Sequence, residues 1–234
     1  VTALVFGDGA EAVAVEAGYY GADKALVCDD ATLEHFRLEP YAALLTELVK
    51  AHEPQAVIAV ATNRSREILA ASAADTDNGL VTEALELSVE GETITVTRPA
   101  YAGKILNTMS LSSGSRFVTL RARAFVPHER DESRTAALVS VEPVLTEEDV
   151  AVKVESFAEE VGKVSLTDAA IIVSGGRGIA NNPKDAPGDA EKEDVWKAQD
   201  GFETVVQPLA DTLGAAVGAS RAAVDAGYIP YEHQ

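Results

Sequence analysis

The chain has 234 residues, 47% of them hydrophobic, enough apolar material for one large or two modest cores. Asp and Glu number 38 against 19 Lys plus Arg, a formal charge of -19 that repels nucleic acid and anionic lipid surfaces. A single cysteine excludes an internal disulfide and a multi-cysteine metal site, and no apolar run reaches the roughly 18 residues of a membrane span.

The amino end starts inside an apolar strand pattern, without the basic stretch of a targeting segment, so trimming at that end is expected. Residues 1–6 read as a strand and residues 10–20 as a helix, with Asp8 marking the helix start. The pattern repeats as a strand at 25–27 with a helix at 41–52, and a strand at 56–61 with a helix at 65–74. Thr62 or Asn63 can cap the third helix, and Pro54 helps to end the second. Short β-branched runs alternating with longer helical patterns predict a parallel sheet wrapped by helices. Cys28, at the end of the apolar run 25–27, reads as a small buried hydrophobe, and a reducing cytoplasm suits it.

From Asp75 onward the long helices stop. Residues 84–89 and 93–97 flank Glu90, Gly91 and Glu92 and alternate as a hairpin, and runs at 116–124 and 136–141 extend the β-rich stretch. The expected first domain is therefore a parallel α/β layer with an antiparallel β extension.

An acidic segment over 145–165 precedes a buried strand at 169–173, which places a domain boundary at 162/163. Residues 179–194 hold Asn181, Asn182, Pro183, Pro187 and Gly188 among charges and read as an exposed, mobile loop. A helix from about Asp194 to Leu213, a strand at 215–219 and a helix opening at Ser220 or Arg221 follow. One strand, helix, strand and helix are too few for an independent open sheet, so residues 163–234 are expected to be the beginning of a truncated domain.

Three segments are candidates for chemistry. The first is Ser174-Gly175-Gly176-Arg177-Gly178, directly after a buried strand. Glycines at the carboxyl end of a strand let backbone N–H groups approach an anion that an arginine neutralises, as a pyrophosphate requires. Asn181 stands where the dinucleotide fingerprint needs its third glycine, and a tight turn with a surface arginine accounts for the segment equally well.

The second runs from Leu213 to Gly227 as LGAAVGASRAAVDAG. Here Ser220 and Arg221 start a helix at another carboxyl edge, with Arg221 opposing the usual preference for acids at that end. Arg221 serves either an anionic ligand or an i,i+4 pair with Asp225. The third comprises Thr97-Arg98-Pro99-Ala100-Tyr101-Ala102-Gly103-Lys104 and Thr119-Leu120-Arg121-Ala122-Arg123-Ala124-Phe125, where structure is the more economical use. His35, His52, His128 and His233 lack the spaced partners that hydrolysis or metal binding needs.

Together, RPAYAG, TLRARAF, VSGGRG and LGAAVGASRAAVDAGY, in that order, resemble the alpha subunit of electron transfer flavoproteins. The resemblance implies a Rossmann-like FAD-binding domain after the first domain, with one more strand and helix before Val1 and further flavin loops beyond the last residue. It implies that Gly175, Gly176, Arg177 and Ser220 lie at FAD, and that Arg221 stands beside the flavin ring and favours its reduced, negatively charged form. Gln234 would open a flavin loop. The family passes electrons from flavin dehydrogenases, such as the acyl-CoA dehydrogenases of fatty acid oxidation, to a quinone reductase. A beta subunit closes its site, so the expected protein is an electron carrier. The connection over 179–199 is longer and more acidic than the family pattern. The competing readings are a nucleotide-binding α/β enzyme, whose glycine or phosphate-loop fingerprint is missing, and a non-catalytic subunit-interaction module.

Overall fold

The computed structural model describes residues 1–156, 166, 169–188 and 190–233. The chain divides into two compact units, Val1–Glu155 and Ser156–Gln234, and the boundary expected at 162/163 lies outside the described residues.

The first unit opens with β1 (Thr2–Gly7), α1 (Ala10–Tyr19), β2 (Lys24–Asp29), α2 (Leu38–His52), β3 (Ala56–Val60) and α3 (Asn63–Asp75), the alternation predicted from periodicity. Small residues at four-residue intervals, Ala10, Ala14 and Gly18, give α1 a flat buried face that packs on β1 and β2. Asp8 does not cap this helix. Gly9 precedes it in the left-handed conformation (φ 69°) that favours glycine and gives its N–H to Asp29 Oδ1 at 3.0 Å. Thr62, not Asn63, caps α3. Its hydroxyl accepts from Ser65 N–H at 3.1 Å while Ser65 Oγ accepts from Thr62 N–H at 3.0 Å.

The hairpin is present as β5 (Glu86–Glu90) and β6 (Thr93–Ala100), in register Val89↔Ile94. The sequence reading did not separate β4 (Leu80–Ala84) or β7 (Ile105–Leu111), the latter pairing antiparallel with β6. Two later strands, expected only as part of a β-rich stretch, join parallel sheets. β8 (Arg116–Leu120) does not extend the antiparallel part; it lies between β3 and β4, parallel to both. β9 (Ala137–Ser140) pairs in parallel with the outer side of β2. For β8 the reason is two-sided burial. Phe117 faces Leu45, Val49, Leu69 and Ala73 of the helical layer, whereas Val118 faces Ile94 and Val96 of the hairpin sheet. A strand covered on both faces belongs inside a parallel layer.

Residues 142–154 then run against the start of α2. Arg37, which is 8% exposed, holds Glu147 with two parallel bonds of 2.8 and 2.7 Å and also donates to the carbonyl of Thr32. Glu39 accepts the N–H of Ala151 at 2.9 Å, and Val150 is buried.

The second unit contains β10 (Ile172–Gly175), a tight 3₁₀ stretch Arg177–Asn181, α4 (Glu193–Gly201), a wide π turn Phe202–Val206, α5 (Gln207–Leu213), β11 (Ala216–Ala219) and α6 (Arg221–Asp225). The expected helix over 194–213 is thus continuous but carries a π turn just before Pro208. β10 and β11 pair in parallel, Ile172 opposite Ala216. Among the described residues no helix is long and apolar enough to cross a membrane.

Candidate functional site

Parallel pairing sets Gly175 opposite Ala219, so β10 and β11 end at one rim. The N–H of Ser220 donates to the carbonyl of Gly175 at 3.0 Å, which ties the start of one turn to the start of the other. Beyond this bond β10 continues through extended Gly176 into the stretch opened by Arg177, closed by a 3.0 Å bond from Ile179 N–H to the carbonyl of Gly176. β11 continues through Ser220 into α6, opened by Arg221. Four predicted site residues, Gly176, Arg177, Ser220 and Arg221, therefore follow two adjacent strands at their carboxyl ends, the place where open parallel sheets offer backbone and side chains to a ligand.

The two glycines have different surroundings. A Cβ on Gly175 would stand 2.5 Å from Cε1 and Cζ of Phe202. On Gly176 the nearest atom would be Ser220 Oγ, at 3.7 Å, an ordinary contact. Gly175 is therefore packed against the protein, and Gly176 faces open space beside Ser220. Both arginines are exposed. Arg221 Nε lies 3.4 Å from Asp225 Oδ2 at the i,i+4 spacing, and with side chains 79% and 64% exposed the pair is screened and holds the guanidinium weakly. Arg177 makes no ion pair among the described residues. The expectation from the helix N-terminus needs correction. α6 is only five residues long and Ser220 makes no side-chain cap, so its dipole is small and the positive charge here is that of Arg221 itself. Gln234 lies outside the described residues.

Part of the connection after Arg177 is bonded to α4. Asn182 Nδ2 donates to Asp200 Oδ2 at 2.7 Å and to the carbonyl of Lys197 at 3.2 Å, while Lys184 Nζ meets both Asp200 oxygens at 2.8 Å. Lys184 first, then Asn182, holds the Asp200 carboxyl below its usual pKa. Sequence reasoning missed this anchor and missed Phe202. Pro208 inside a helical run was the available signal for a local departure from regular geometry.

The first part of the third candidate segment lies in a β-hairpin of the first unit. Arg98, Pro99 and Ala100 lie in β6, and Tyr101, Ala102 and Gly103 form the tip between β6 and β7 with φ of 50°, 54° and 83°. A separate concavity of about 1000 Å3, lined by Tyr19, Tyr20, His128, Arg130 and Arg134, belongs to the first unit and contains none of the predicted site residues. Among the described residues no cluster of His, Cys, Asp or Glu could hold a metal ion.

Residues 1–145 match the family described as electron transfer flavoprotein domain, and residues 194–234 match the electron transfer flavoprotein FAD-binding domain. The alpha subunit of the Bacillus subtilis electron transfer flavoprotein is 31% identical across 100% of this chain, which covers 66% of that protein. The alpha subunit from Syntrophomonas wolfei is 34% identical across 100% of the chain, covering 68% of its length. Protein FixB of Azotobacter vinelandii is 34% identical over 92% of the chain and 56% of its own. The chain thus spans about two thirds of the length of the two alpha subunits. It belongs to the alpha-subunit family of the electron transfer flavoproteins.

Proposed function

We propose that this chain is the FAD-holding subunit of a two-subunit electron carrier, and that the rim after β10 and β11 receives the negatively charged parts of the flavin. The observation that carries the reading is the bond from Ser220 N–H to the Gly175 carbonyl, which sets two arginine-bearing turns side by side. FAD, when bound, supplies the redox chemistry. The residues of the chain supply place and field. Gly176 leaves its backbone open to an approaching phosphate oxygen, Arg177 neutralises the charge, and Ser220 offers a hydroxyl that no cap bond occupies. Arg221 can exchange its weak pair with Asp225 for a ligand anion, since a screened surface pair contributes at most about 1 kcal/mol.

The finer parts of the reading rest on the family. The second unit would be the start of a Rossmann-like FAD-binding domain, with the domain change near residue 162 and Gln234 beginning a further flavin loop. A beta subunit would close the site, flavin dehydrogenases such as acyl-CoA dehydrogenases would donate electrons, and a quinone reductase would accept them. The first unit would serve as the platform for the beta subunit.

Redox titration of the full-length wild type and Arg221→Ala, each with its partner subunit, tests the role of Arg221. Loss of the positive charge is expected to lower the flavin potential by tens of millivolts, on a scale where about 30 mV equals about 1.4 kcal/mol for two electrons. An unchanged potential removes Arg221 from the site.

A further inference from the structure

The π turn over Phe202–Val206 has a local cause and a distant effect. Pro208 has no N–H, and its ring crowds the carbonyl four residues earlier, so a regular helix is disfavoured through it. The N–H of Gln207 instead reaches the carbonyl of Phe202, five residues back. The effect concerns the buried stripe of this helix, Ala198, Phe202, Val206 and Ala210, spaced strictly by four. On a regular helix each step of four overshoots a full turn by about 40°, and the stripe would drift off the sheet. One wide turn absorbs the drift, and Phe202 and Val206 both stay in the apolar cluster against which Val173 and Val217 pack.

Phe202, 6% exposed, presses its ring edge on the Gly175 backbone, where a Cβ would be only 2.5 Å away. The carbonyl of Gly175 is the group that receives Ser220 N–H. Ile179, three residues beyond Gly176, packs over Gly201 so closely that a Cβ there would meet its Cγ1 at 2.6 Å. One backbone segment thus carries the ring at its Cα, the turn after β11 at its carbonyl and the Arg177 turn at its end.

We propose that Phe202, held by the π turn, is a positioning residue of the rim: it clamps Gly175 so that Arg177 and Arg221 are presented in one fixed register. The proposal rests on the flavin reading of that rim. The test compares Gly175→Ala, Phe202→Leu and the double variant in the full-length chain with its partner subunit. FAD affinity is read by fluorescence and the flavin environment by visible circular dichroism, with far-ultraviolet dichroism as the control for folding. Gly175→Ala is expected to weaken FAD binding at least about tenfold, or about 1.4 kcal/mol, and to alter the flavin dichroism. The double variant is expected to recover most of both, because leucine has no atoms where Cε1 and Cζ meet the new methyl. Phe202→Leu alone should shift the flavin dichroism with the fold intact.

Wild-type affinity in Gly175→Ala, or a double variant no better than Gly175→Ala, overturns the clamp. Should Gly175→Ala not fold, Phe202→Leu decides alone, and a wild-type flavin spectrum and affinity in it overturns the proposal. A wild-type chain that takes up no FAD overturns the flavin reading and the clamp together, whereas FAD uptake without rescue overturns the clamp only.

Discussion

Gly175 and Gly176 are neighbours with opposite reasons for lacking a side chain. One accommodates a ring from inside, and the other leaves space outside. The sequence shows a glycine pair after a strand and cannot divide these roles, because the ring comes from residue 202. Gly18 is a third case, since a Cβ there would stand 2.6 Å from the backbone nitrogen of Ala136, which cannot swing aside as a side-chain tip could. Gly18→Ala is expected to destabilise the first unit by about 1–3 kcal/mol, the usual effect of overpacking, measured by urea unfolding. Cys28 is fully buried, and burial, followed by Asp30, Glu142 and Asp29, pushes its thiol up to about 11. The thiolate is the reactive form, so the native protein should leave a disulfide reagent unconsumed near neutral pH and react with one equivalent in denaturant. The reading of Cys28 as a small buried hydrophobe was legible from its apolar neighbours alone.

Elements with strong periodicity or a cap were legible. The strands and helices through α3 lie where alternating patterns put them, and Thr62 was one of two caps the sequence offered. Replacing Thr62 by Ala is expected to cost about 1 kcal/mol in thermal or urea unfolding, and Thr62→Ser much less, because the hydroxyl that accepts the Ser65 N–H is retained. The missed elements share a physical feature. β7 is exposed along most of its length and mixes Asn107, Thr108 and Ser110 with apolar residues, so it lacks the burial that writes a strand pattern. β4 is interrupted at Glu83, whose φ of 64° shifts the register with β8. The parallel placement of β8 was hidden because its neighbours are set by long-range burial, which nothing within residues 116–120 encodes. The π turn was hidden for the opposite reason, because Pro208 was visible and only the manner of its accommodation was not.

At the scale of the whole molecule, an excess of acids makes each paired carboxylate a link between folding and pH. Glu147 is held at about 2, first by its bonds to Arg37 and then by Lys153, against an ordinary value of 4.5. A lowered value means that the native state gives up its proton more readily than the unfolded chain. The contribution is therefore complete above about 4.5 and disappears as pH falls toward about 2. Wild type should lose more stability between pH 6 and pH 3 than Glu147→Gln, read as the change in urea midpoint; equal losses would show that the pair does not couple to acid unfolding. This contact joins residues 110 positions apart and leaves no mark in the local sequence.

Strand order also bears on how the protein is made. β3 and β4 reach the ribosome exit well before β8, yet β8 is the strand that separates them, and β2 waits longer still for β9. A nascent chain released only to residue 115 would display bare strand edges with nothing to seal them, an invitation to intermolecular pairing. Expressed as fragments, residues 1–115 should accumulate as aggregate or on chaperones, while residues 1–155, which carry both late strands and the Arg37–Glu147 pair, should remain in the soluble fraction.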